Sequence, residues 1–155
     1  MKNIIGDKKL KAAIKIVATQ QPGWRELEDF ILSINHPFPT QTAWNLYQQS
    51  KSDNEKKSLL NFIVHLSHRS AYEYIPEIIK NKNQILIALA LLDQLFFREQ
   101  ISITEAEQAL KLFDNKNPQQ LRMIKFIRCQ IRKRKIKSFL LNLLDRLMPN
   151  CELAL

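Results

Sequence analysis

Only two glycines occur in this sequence, Gly6 and Gly23, and both come before the first long helical pattern. Tight hairpins, phosphate-cradling loops and nucleophile elbows depend on glycine, either for left-handed backbone angles or to let a ligand approach the main chain. A chain with no glycine after residue 23 has little access to those devices. Helices joined by short polar links are the architecture that remains.

The apolar residues agree, because they recur at three- and four-residue spacing almost throughout, as they do in helices with one buried face. Lys9–Thr19 presents Leu10, Ile14 and Val17. Pro22 suits a helix start, after which Trp24, Leu27, Phe30, Ile31 and Ile34 share a face until Asn35-His36-Pro37-Phe38-Pro39 breaks the pattern. Thr40 is expected to cap a helix carrying Ala43, Trp44 and Tyr47. Ser52-Asp53-Asn54-Glu55 is expected to start another, Glu55–Arg69, with Leu59, Leu60, Phe62, Ile63 and Leu66 inside. Ser70 and Glu73 form a capping-box pattern ahead of Tyr74, Ile75, Ile78 and Ile79. Gln84–Arg98 follows, then a helix from Ser102-Ile103-Thr104-Glu105 through Ala106, Ala109, Leu110 and Phe113. Pro118 opens a run with no breaker before Met148, which is either one long helix or two that bend near Lys133–Lys137.

The fold expected is therefore all-α, with about seven or eight helices and links of about two to six residues, which makes consecutive helices antiparallel neighbours. One domain over residues 1–155 is expected, with a mobile tail at 150–155. Two arrangements meet these conditions, a stack of helical pairs and an irregular helical bundle. Internal repetition favours the stack: Ile78-Ile79-Lys80-Asn81-Lys82-Asn83 and Leu112-Phe113-Asp114-Asn115-Lys116-Asn117 have the same order of apolar pair, polar link and asparagine, 34 residues apart.

Tyr74–Asn83 followed by Ile85, Ala88, Leu89 and Leu92 resembles a HEAT repeat, in which a first helix ends in an apolar pair and a polar link leads to a second helix rich in Ala and Leu. Asn117-Pro118-Gln119-Gln120-Leu121-Arg122 is similar to the link of such repeats. The resemblance spans roughly Trp24–Lys133. It implies a non-enzymatic scaffold that presents a surface to proteins or nucleic acids, with no cofactor, no metal and no catalytic residue that carries over.

Charge gives the most definite pointer to a partner. Between Asn115 and Asn142 there is no acidic residue, and residues 118–155 hold nine Lys and Arg against Asp145 and Glu152, contributing +7 of the chain's net +9. On a helix Lys125, Arg128, Arg132 and Lys135 fall in one row, with Lys133 beside it, next to the apolar strip Ile124, Ile127 and Ile131. Such a row can track a phosphate backbone or meet an anionic protein or lipid surface; equally, it can be a solvated face. A protein partner is the first expectation and nucleic acid the alternative, with a helical-repeat enzyme acting on nucleic acid as a third reading. Lys2, Lys8, Lys9, Lys11 and Lys15 form a second, looser cluster.

Other candidates have simpler explanations. Tyr72, beside a helix cap, is the aromatic expected to be exposed and available for contact, whereas Trp24 and Trp44 occupy core-like positions. His65 and His68 are close enough on a helix to share a metal, but no third ligand recurs nearby. Cys129 reads as a half-buried structural cysteine, with a reactive thiol as the alternative. With only Cys129 and Cys151, and no signal-peptide or membrane-spanning run, a reducing, cytoplasmic setting is expected.

Overall fold

The computed structural model describes residues 7–33, 37–113 and 117–147. Among these, eight α-helices and two 3₁₀ segments are found, and no strand. They divide into two compact units, Met1–Ser102 and Ile103–Leu155.

In the first unit, α1 (Asp7–Ala18) buries Leu10, Ile14 and Val17, the spacing read from the sequence. It packs on α2 (Trp24–Ser33) and also on α3 (Phe38–Gln49) and α4 (Asp53–Leu66). Gln20, with φ of 53°, turns the chain after α1, and the Gln21 N–H donates back to Ile16 O at 3.0 Å. This is a left-handed helix stop of the kind glycine usually provides. Ser67 after α4 and Glu99 after α6 (Ile85–Phe97) do the same, so a glycine-poor chain ends three helices with ordinary residues in the left-handed region.

Several local expectations change. α2 starts at Trp24 rather than Pro22, and Phe30 lies exposed while Ile31 is buried. Thr40 caps nothing. α3 already begins at Phe38, because proline suits a first helical turn whose N–H groups have no intrahelical acceptor. Thr40 is then fully buried, its Oγ1 without a hydrogen-bond partner among the described residues. The Ser52 side chain does cap α4, accepting from the Glu55 N–H at 3.4 Å. The Glu55 carboxylate in turn accepts from the Ser50 hydroxyl at 2.6 Å and pairs with Lys15 at 3.3 Å, tying α4 to α1. The Ser50 hydrogen bond, aided by Lys15, holds this carboxyl below its ordinary range.

The capping box expected at Ser70 is replaced by a 3₁₀ segment, Arg69–Tyr74, before the short α5 (Ile75–Ile78). Pro76 explains this: it has no N–H to donate to Tyr72 O as a continuing α-helix would require, and that carbonyl accepts from the Ile75 N–H instead, a 3₁₀ hydrogen bond. His68 Nδ1 accepts from the Ser70 N–H at 3.2 Å instead. A second 3₁₀ segment, Lys82–Gln84, leads into α6, where the Asn81 side chain accepts from the Asn83 N–H at 3.1 Å. α6 buries Ala88, Leu89, Leu91, Leu92, Leu95 and Phe96, so it is covered on most sides. No helix among the described residues is long and apolar enough to cross a membrane. Trp44 is sandwiched between Tyr47 and Tyr74, with ring centroids 4.8 and 4.4 Å away, and the Tyr47 hydroxyl donates to Gln84 Oε1 at 2.6 Å. The stack pins α3 to the chain entering α5.

The second unit is a hairpin of α7 (Ile103–Leu110) and α8 (Pro118–Leu147). The Asn117 side chain accepts from the Gln119 N–H at 2.8 Å with Pro118 at the first position of α8, an efficient helix start. α8 is one unbroken helix of 30 residues, about 45 Å long at 1.5 Å per residue. Ile124, Ile127 and Ile131 are buried on one face, as are Ala106, Ala109 and Leu110 of α7. After Ile131 every described side chain as far as Leu144 is exposed, except the partly covered Arg134. The expectations for Lys2, for the break at Asn35-His36 and for the tail at 150–155 lie outside the described residues.

Candidate anion-binding surface on the last helix

α7 is too short to cover α8, so the hairpin leaves an open cleft of about 540 Å³ along one side of α8. Its floor is Leu110 and Ile131. α8 contributes Arg128, Arg132 and Lys135, α7 contributes Glu107, and Lys111 comes from the turn just after α7. The cleft thus gathers four cations around one carboxylate, a net +3 when four positive charges are set against one negative.

That carboxylate is already engaged. Lys135 Nζ donates to Glu107 Oε1 at 2.7 Å, with both side chains about half exposed. No carboxylate among the described residues pairs with Lys111, Arg128 or Arg132. Their charges face a groove whose apolar floor excludes part of the surrounding water, an environment in which an anion is attracted more strongly than at an open surface.

Of the basic face read from the sequence, the structure brings Arg128, Arg132 and Lys135 into the cleft and leaves Lys125 and Lys133 exposed outside its lining. Lys111 and Glu107 were not read from the sequence as part of it. The signal available for them was their four-residue spacing where α7 ends, with Lys111 already in the turn after Leu110. Tyr72 belongs to the first unit and is partly covered, with the Arg69 guanidinium 4.9 Å from its ring centroid.

Trp44 is core, whereas Trp24 is only half-buried and has the Arg25 guanidinium 5.5 Å from its ring. His65 Nε2 lies 3.5 Å from Glu28, and His68 is used in the cap described above, so the two are engaged separately. No group of three His, Cys, Asp or Glu able to hold a metal occurs among the described residues. Cys129 is exposed rather than half-buried, because it falls on the side of α8 away from Ile127 and Ile131. Comparison of the chain with protein-family models, with curated proteins and with solved structures finds no match to any of them.

Proposed function

We infer that this chain is a non-enzymatic binding module whose working surface is the basic side of α8, with an acidic protein segment as the partner. The supporting observation is the cleft at Arg128, Arg132 and Lys111, where three cations without an ionic partner among the described residues share a groove with an apolar floor. A side chain such as Leu or Phe in the partner would cover Leu110 and Ile131 while neighbouring carboxylates meet the cations. The HEAT-like relation is part of this proposal, drawn from two hairpins, α5–α6 and α7–α8, each joining a short helix to a longer one.

Nucleic acid is the second reading, favoured by the regular advance of Lys125, Arg128, Arg132 and Lys135 along the helix, which suits successive phosphates. One titration separates the two. Fluorescence anisotropy with a labelled Glu- and Leu-rich peptide and with single- and double-stranded oligonucleotides, over a range of salt, should give saturable binding that is lost in the double variant Arg128→Glu/Arg132→Glu. Peptide binding supports the first reading. Oligonucleotide binding that weakens steeply with salt supports the second, and binding unaffected by the two reversals removes the cleft from both.

A further inference from the structure

The second half of α8 has a property that the cleft does not use. Ile136, Phe139, Leu140, Leu141, Leu143 and Leu144 are all 42–66% exposed. At 3.6 residues per turn they occupy an arc of about 200°. That arc lies on roughly the opposite side of the helix from Ile124, Ile127 and Ile131, so the buried strip of the first half does not continue into it. An amphipathic helix segment therefore extends past the packed part of the hairpin with its apolar side outward.

The positions of the cations identify the occupant. Lys135 borders one edge of the apolar arc and Lys137 lies near the other, between Leu144 and Leu141, while Arg132 and Lys133 stand at its N-terminal end; all four are exposed. No acidic residue interrupts residues 118–144. Cations at the border between an apolar and a polar face are what a helix lying in a membrane interface requires, because their stems follow the apolar surface while their heads reach lipid phosphates. A second copy of the chain fits less well. Pairing two such segments would set like charges beside each other.

We propose that residues 132–144 of α8 dock on an anionic lipid bilayer, with Ile136, Phe139, Leu140, Leu143 and Leu144 in the interface and Arg132, Lys133 and Lys137 at the phosphates. The proposal goes beyond the cleft reading: it shares Arg132 with the cleft lining, but is carried by the outward apolar arc and by Lys133 and Lys137, which the cleft does not use. Binding is superficial and reversible, since the segment is short and its apolar arc enters only the headgroup boundary.

The test is sedimentation of the full chain with vesicles of phosphatidylcholine alone or with 30% phosphatidylglycerol, at low and high salt. Partition onto the anionic vesicles is expected, with little onto the neutral ones and less at high salt. Lys133→Gln/Lys137→Gln should weaken it about twenty-five-fold, at about five-fold per cation. Phe139→Ser/Leu140→Ser should abolish it. Both pairs are exposed, so the fold is retained, as circular dichroism would verify. In the Phe139→Trp variant, emission should shift to the blue on anionic vesicles and be quenched by brominated lipid. Absence of partition in low salt, or partition unchanged in the serine variant, would overturn the proposal. So would a dimer in sedimentation equilibrium that the serine variant dissolves while vesicles stay unbound. Peptide or oligonucleotide binding that persists without vesicle binding refutes the lipid inference and leaves the cleft reading intact. Vesicle binding that survives Arg128→Glu, in a chain that binds neither peptide nor oligonucleotide, supports the lipid inference and refutes the cleft reading.

Discussion

Ile127→Ala and Leu140→Ala make the two halves of α8 directly comparable, since each removes aliphatic atoms from the same helix. Ile127 is 0% exposed and Leu140 is 51% exposed. Truncating a fully buried Ile leaves a cavity and is expected to destabilise by about 2–5 kcal/mol. At about 2–4 °C per kcal/mol for a chain of this size, a loss near 3 kcal/mol lowers the melting temperature by roughly 6–12 °C. Leu140→Ala gives up little packing and gains slightly in helix propensity, so its effect should stay within about 0.5 kcal/mol. Urea unfolding followed by far-ultraviolet circular dichroism measures both. A comparable loss in the two variants would mean that the second half of α8 is packed. An Ile127→Ala variant with an unchanged midpoint would mean that the buried strip has been placed on the wrong side of the helix.

Three further effects follow from the first unit. Gln20→Gly should raise stability by about 0.5–1 kcal/mol in thermal unfolding, because the left-handed angle at Gln20 burdens a residue with a side chain and not glycine. Ser52→Ala should lower the urea midpoint by an amount corresponding to about 0.5–1 kcal/mol, the low end for a helix cap given its 3.4 Å hydrogen bond. Asp93→Asn should melt at a higher temperature than the parent at neutral pH, because burial pushes the Asp93 carboxyl above its ordinary value and penalises the ionised form in the fold. That advantage should shrink as the pH falls through the raised folded value and vanish below the unfolded value of about 3.9, where the parent carboxyl is protonated in both states; a constant difference across pH would refute the cause.

The all-α class was legible because apolar spacing reports a buried face directly, as Leu10, Ile14 and Val17 do on α1. Ser52 was legible as a cap because its role is local. Thr40 misled because a proline on each side of Phe38 allows a helix to begin before the expected cap, and sequence does not rank two adequate starts. Pro76 was seen, but its effect on the turn before it depends on which helical geometry the packing of Ala71 and Ile75 rewards. In the cleft, Arg128, Arg132 and Lys135 share one helix and their spacing gave them away, whereas Glu107 from α7 and Lys111 from the turn after it arrive only once the hairpin closes. The apolar row of α8 was legible as a row, since Leu140, Leu143 and Leu144 follow at helical spacing, but it reads as a continuation of the buried face and not as a separate outward one. Its periodicity resembles that of Ile124, Ile127 and Ile131, and only the packing shows that one row is covered and the other is not.

The continuity of α8 also has a kinetic side. Past the Lys135–Glu107 pair, residues 136–144 are all exposed, so this stretch is held mainly by its own main-chain hydrogen bonds. Isolated helices shorter than about 12–15 residues are marginal in water, so amide exchange should be slow around Ile127 and should quicken from Ile136 onward. Trypsin should cut first after Lys137, ahead of any site in the buried cores. Whatever occupies this face must then supply the ordering of the last turns along with its own contacts. Replacing Ser138 with alanine, a better helix former on the polar side of the segment, should therefore tighten the complex without adding a contact to it.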